Sequence, residues 1–121
     1  MEDNRTEQKE ALETLVEFNE RLLKNMNIAV KELSGERLDD TDKFVKSIID
    51  AINWEIGVMN GTLSLLNKDK ERVNKEQFNR KVMAFADAVN AKDDAKMADA
   101  MKELIPEFEG LGIASKEVFC N

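Results

Sequence analysis

The chain contains no histidine, no tyrosine, one cysteine and one proline. Without an imidazole, no Ser-His-Asp triad or Cys-His pair can be assembled. The lone thiol, Cys120, allows no internal disulfide and no cysteine-rich zinc site, and no base neighbours it in sequence to activate it. β-Branched residues never alternate with polar ones, which excludes a half-buried sheet. No apolar run approaches the ~18 residues that would cross a bilayer. Met1-Glu2-Asp3-Asn4-Arg5 leads into a helical pattern with no apolar signal region, so a cytoplasmic location without membrane attachment is expected.

Positive charge is also scarce. Lys and Arg number 18 against 25 Asp and Glu, for a net charge of −7. Such a surface repels phosphate backbones, and no nucleic-acid partner is expected. Only the segment 67–90 carries a positive excess, with Lys68, Lys70, Arg72, Lys75, Arg80 and Lys81 set among Asp69, Glu71 and Glu76. That mixture reads as a solvated loop. Asn67, Asp69 and Glu71 imitate the start of a calcium loop, but Arg72 and Phe78 stand where such a loop needs its glycine and its bidentate acid.

With 121 residues, the chain is one domain able to bury about two-thirds of its extended surface. Ala, Leu, Glu, Lys and Met dominate, and the expected fold is all-α: a four-helix antiparallel bundle of a long hairpin and a shorter one. Helix 1 is expected over Arg5–Leu33, capped by Asn4 with Glu7 completing a capping box, and stopped at Gly35. Its seam is Leu12, Val16, Asn19, Leu23, Met26, Val30 and Leu33. Helix 2 is expected over Asp40–Leu66, capped by Asp39, with a seam of Val45, Ile49, Ile52, Ile56, Met59, Leu63 and Leu66. Helix 3, Lys75–Val89, takes Asn74 as its cap and Gln77 at the box position. Asp93 caps helix 4, Asp94–Glu109, which should kink or break at Pro106 and end at Gly110 and Gly112. The bundle would then occupy residues 1–111 and a tail residues 112–121.

On these lengths helices 1 and 2 reach ~40 Å, and helices 3 and 4 only ~22–24 Å. The second hairpin would leave half of the first uncovered, with Leu22, Leu23, Met26, Val30, Leu33, Leu38, Phe44, Val45, Ile48, Ile49 and Ile52 wet. At ~1.5–3 kcal/mol for each large aliphatic group, that surface demands cover. A second copy of the chain, giving a homodimer, is the simplest cover; a folded-back tail, a shifted helix 3 or a helical protein client are the others. The expected function is a non-enzymatic protein–protein interaction module, an adaptor or self-associating bundle, contacting its partner through Leu22, Met26, Phe44, Ile48, Trp54, Val118 and Phe119. In size, acidity and helical layout the chain resembles small export chaperones and adaptors such as those that escort flagellar subunits. That resemblance implies an escort for a helical client.

No catalytic residue, cofactor or metal is expected. Di-metal bundles combine inward acids with Glu-x-x-His pairs, and here Glu17, Glu20, Asp50, Asp87, Asp99 and Glu103 fall on polar faces. A small-molecule-binding or enzymatic alternative would use Glu55 near Trp54, and requires a pocket holding a carboxylate whose pKa burial has raised. Gly57 and Gly61 set a small face beside Trp54, suited to close approach by a neighbour, or to a partner's aromatic or a ligand against Trp54.

Overall fold

The computed structural model describes the backbone of residues 2–120 and the side chains of residues 5–120. Four helices, α1 (Glu2–Leu33), α2 (Thr41–Leu66), α3 (Lys75–Asn90) and α4 (Asp94–Phe119), form an all-α bundle. α1 lies at its centre, with α4 packed along one flank and α2 along another, while α3 packs on α4.

Turn chemistry sets most boundaries. Gly35 ends α1 at φ +122°, a conformation that disfavours any side chain. The α1 backbone is helical from Glu2, so Asn4 lies inside the helix, and its expected capping side chain is outside the described residues. At the start of α2 the cap is Asp40, not Asp39, and it makes no side-chain bond. Thr41 closes the hairpin instead: its hydroxyl accepts from the Leu38 N–H at 2.8 Å and donates to Glu32 Oε1 at 2.7 Å. Arg37 clamps the same end, donating to both carboxylate oxygens of Asp94 and to Asp42.

Asn74 and Asp93 cap α3 and α4 as their spacing predicts, accepting from the N–H groups of Gln77 and Lys96 at 3.0 and 3.1 Å. The Gln77 side chain does not return to the cap; it donates to Glu107 on α4 at 2.9 Å. Between α2 and α3, Asn67 Oδ1 accepts from the N–H groups of Arg72 and Val73, and Nδ2 donates to the Val73 carbonyl. The connector is therefore a built loop, and its calcium-like first ligand position is spent on backbone.

α4 overturns the expected break. It runs through Pro106, Gly110 and Gly112 to Phe119, so residues 112–119 belong to the bundle and form no tail. Pro106 is exposed, and water can take up the Lys102 carbonyl that the proline leaves without a donor. On the opposite face Met97, Met101, Leu104, Phe108, Leu111, Ala114 and Val118 continue one buried stripe on both sides of the proline. Burial along α1 outweighs a local penalty of about 3 kcal/mol.

The second hairpin is thus not uniformly short. α4 matches α2 in length, and α3 alone is stubby. As a result Leu22, Met26, Leu33, Val45, Ile48 and Ile52 are buried within one molecule, and Leu23, Val30, Phe44 and Ile49 are half-buried. Of the residues expected to be wet, Leu38 stays exposed. The premise that the first hairpin needs an outside partner to cover its far half is corrected by this packing.

Candidate interaction surface

Leu22, Met26, Ile48 and Val118 are core residues and cannot serve as exposed contacts; Phe44 and Phe119 are half-buried. Of the expected contact residues Trp54 alone stands out from the surface, 43% exposed. Its ring meets Phe18 of α1 at a centroid distance of 5.1 Å, a tilted pair at the edge of the α1–α2 seam.

The buried seams are rotated from those that apolar spacing suggests. On α2 the buried line is Thr41, Val45, Ile48, Ile52, Glu55, Met59, Thr62 and Leu66. Three polar residues, Thr41, Glu55 and Thr62, occupy inner positions, and Ile49, Ile56 and Leu63 are displaced to a half-buried flank. That flank faces α3. Among the described residues no Cα of α2 comes within 8 Å of one on α3, so these two helices stand wider apart than the pairs α1–α4, α1–α2 and α3–α4. A cleft of about 230 Å³ lies between them, walled by Ile49 and Ile52 on one side and Val82, Phe85, Ala86 and Val89 on the other. Met83, one turn from Ala86 on α3, is 61% exposed.

Charge is distributed unevenly around this face. The chain is 36% charged, yet from Ala51 to Leu66 Glu55 is the sole ionisable residue. Glu55 is completely buried, so the exposed positions of this stretch are Asn53, Trp54, Gly57, Asn60, Gly61 and Ser64. Nothing lies within 4 Å of where a Cβ would stand on Gly57 or Gly61. No packing inside the molecule uses their smallness, although each costs roughly 1 kcal/mol of helix propensity.

Two buried polar side chains mark the middle of the bundle. Asn19 reaches from α1 to α4, its Nδ2 donating to the Phe108 carbonyl at 3.0 Å, while Oδ1 has no partner. The Gly112 position makes this possible: a Cβ there would stand 2.6 Å from Asn19 Nδ2. Glu55 has neither oxygen hydrogen-bonded, and burial pushes its carboxyl from an ordinary 4.5 up to about 8. Sequence neighbours Phe18 and Trp54 touch, which sets Asn19 and Glu55 at the same level of the bundle. The raised pKa matches what the enzymatic alternative requires, but the carboxyl touches no solvent and the α2–α3 cleft stops at Ile52 and Asn53.

Among the described residues no cluster of three or more His, Cys, Asp or Glu could hold a metal ion. Among the described residues no helix is long and apolar enough to cross a membrane. Cys120 is free and exposed.

Fold and surface together define an all-α four-helix bundle protein whose α2 carries no exposed charge from Ala51 to Leu66. The chain belongs to the family described as Domain of unknown function (DUF8042), which matches residues 10–113 and so includes all of α2 and α3 and most of α1 and α4. Neither the curated proteins nor the solved structures contain a match to it.

Proposed function

We propose that the chain is a non-enzymatic interaction module that self-associates through its α2–α3 face. The observation that carries this reading is the absence of any exposed charge on α2 from Ala51 to Leu66 in a chain of net charge −7. In a two-fold dimer each residue near the axis meets its own copy, so a charged patch there would be self-repelling. Interface cores are depleted of charge and enriched in Met and aromatics, and here Met83 and Trp54 border the strip. The face is also self-complementary: Met83 of one copy can enter the cleft of the other, and the reverse contact follows by symmetry. The reading keeps the module in the cytoplasm, which its single, unpaired thiol supports.

Sedimentation of the purified chain at high micromolar concentration should give twice 13.8 kDa. Gly57→Lys and Met83→Glu place charge on exposed positions that the monomer does not use, and each should weaken association by at least about tenfold while helicity is retained. A wild-type chain that sediments as a monomer, or variants that dimerise as well as wild type, would refute self-association. The cleft favours a second occupant, the apolar face of an amphipathic client helix, as the escort reading implies. Hydroxyl-radical footprinting separates the two. Protection of Met83 that rises with the chain's own concentration marks the dimer; protection gained only on adding a defined amphipathic peptide marks the client.

A further inference from the structure

We propose a second site, distinct from the α2–α3 cleft: a cleft at the end of the bundle, where the start of α1 meets the α2–α3 connector and the end of α4, that binds a small phosphate-bearing anion. The cleft has a volume of about 290 Å³ and gathers Arg5 and Lys9 from α1, Lys68 and Arg72 from the α2–α3 connector, and the apolar Leu65 and Val118. Four cations line it against the single carboxylate of Asp69. In so acidic a chain that concentration of positive charge needs an account.

Internal pairing provides only part of one. Arg72 is fixed in place: its guanidinium donates to the Leu66 carbonyl at 3.0 Å and to both oxygens of Asp69, and its side chain is 8% exposed. Glu117 lies 3.8 Å from its Nε, too far for a hydrogen bond, and also meets Lys70 at 3.5 Å. Asp69 is thus already committed to Arg72, which holds its carboxyl below the usual range. Arg5, Lys9 and Lys68 make no ion pair among the described residues. Three cations without an ion-pair partner among the described residues converge from two separate elements on a hollow, and Asn67 holds the connector that carries one of them.

A phosphate group suits this arrangement. Its oxygens can be shared between the planar fork of Arg5 and the ammonium groups of Lys9 and Lys68. Leu65 and Val118 offer an apolar wall for the organic part of a phosphate ester. The acidic remainder of the surface discriminates against long polyanions, whose charge would extend over it, whereas a small anion feels chiefly the field within about 10 Å.

Titration calorimetry and backbone amide NMR with inorganic pyrophosphate test the site, with chloride at matched ionic strength as the reference. Resonances of residues 5–9 and 65–73 should shift saturably with pyrophosphate and not with chloride. A phosphate monoester with an apolar group should bind more tightly than inorganic phosphate if the Leu65–Val118 wall takes part; equal affinity would overturn that part of the proposal. The double variant Lys9→Glu, Lys68→Glu should weaken pyrophosphate binding at least about tenfold. Lys24→Glu, about four turns further along α1, should change it less than twofold. Both lysines of the double variant are outside the core, and circular dichroism checks that it is folded. No saturable shift with the wild type, or equal binding by the double variant and the Lys24 control, would overturn the site. Neither result depends on whether the chain dimerises.

Discussion

Glu55 is the most informative residue to perturb. Its carboxyl is buried on all sides without a hydrogen bond, and its pKa in the folded chain stands at about 8 against an ordinary 4.5. Below pH 4.5 the group is neutral in both folded and unfolded chains and imposes no ionisation penalty. Between that value and about 8 the unfolded chain gives up the proton while the folded chain keeps it, so stability falls as pH rises. The slope is about 1.4 kcal/mol per pH unit, which makes the penalty about 3 kcal/mol at neutral pH and about 5 kcal/mol once the folded group also ionises. For a domain whose total stability is ~5–15 kcal/mol, that is a large share. Urea unfolding followed by circular dichroism, at pH values from about 5 to 8.5, should show wild-type stability declining by about 4 kcal/mol. Glu55→Gln should flatten this decline, and Glu55→Met, which fills similar volume without a polar head, should raise stability at neutral pH by about 2–4 kcal/mol. The lowered pKa values of Asp69, Asp94 and Glu103 act in a separate, more acidic window, where their stabilisation is lost on protonation. Parallel pH profiles for wild type and Glu55→Gln would refute the reasoning, because they would mean that the carboxyl reaches water or a cation.

Three further substitutions probe the packing. Gly112→Ala drives a methyl against Asn19 Nδ2 and breaks its bond to the Phe108 carbonyl; a loss of about 1–2 kcal/mol after the gain in helix propensity is expected, read as a lower Tm. Pro106→Ala restores a donor for the Lys102 carbonyl at an exposed site and should raise chemical stability by about 2 kcal/mol. Gly57→Ala, with open space at its Cβ, should stabilise the dilute chain by about 0.5–1 kcal/mol; destabilisation there would show that a neighbour approaches this face within the monomer.

Local chemistry was well expressed in the sequence. Asn74, Asp93 and Gly35 act where their spacing places them, because caps and left-handed turns depend on a few adjacent atoms. Asn19, an interruption of a hydrophobic line, is indeed buried and bonded across the bundle. Pro106 misled for the complementary reason. Its effect on helix continuity is decided by what the rest of α4 buries, and that depends on α1, distant in sequence. The seam of α2 was displaced by one position because apolar spacing follows Ile49, Ile56 and Leu63, while the packed line admits Glu55 and Thr62. The helix lengths expected from the sequence end α4 at Glu109 and leave Leu22, Met26 and Ile48 exposed, whereas α4 runs on to Phe119 and these residues are buried. The basic cleft needed the fold, since Arg5 and Lys9 meet Lys68 only when the ends of α1 and α2 are brought together.

The close packing of α3 on α4, and its wider spacing from α2, have a dynamic consequence. Its buried contacts are Phe78, Phe85 and Ala88, with Phe78 set edge-on to Phe108 at 4.9 Å. The other three helices already enclose one another along α1, so this shortest rod can peel outward as a unit while the remainder holds its register. Peeling would uncover the apolar groups that wall the crevice, Ile49 and Ile52 on α2 and Val82, Phe85, Ala86 and Val89 on α3.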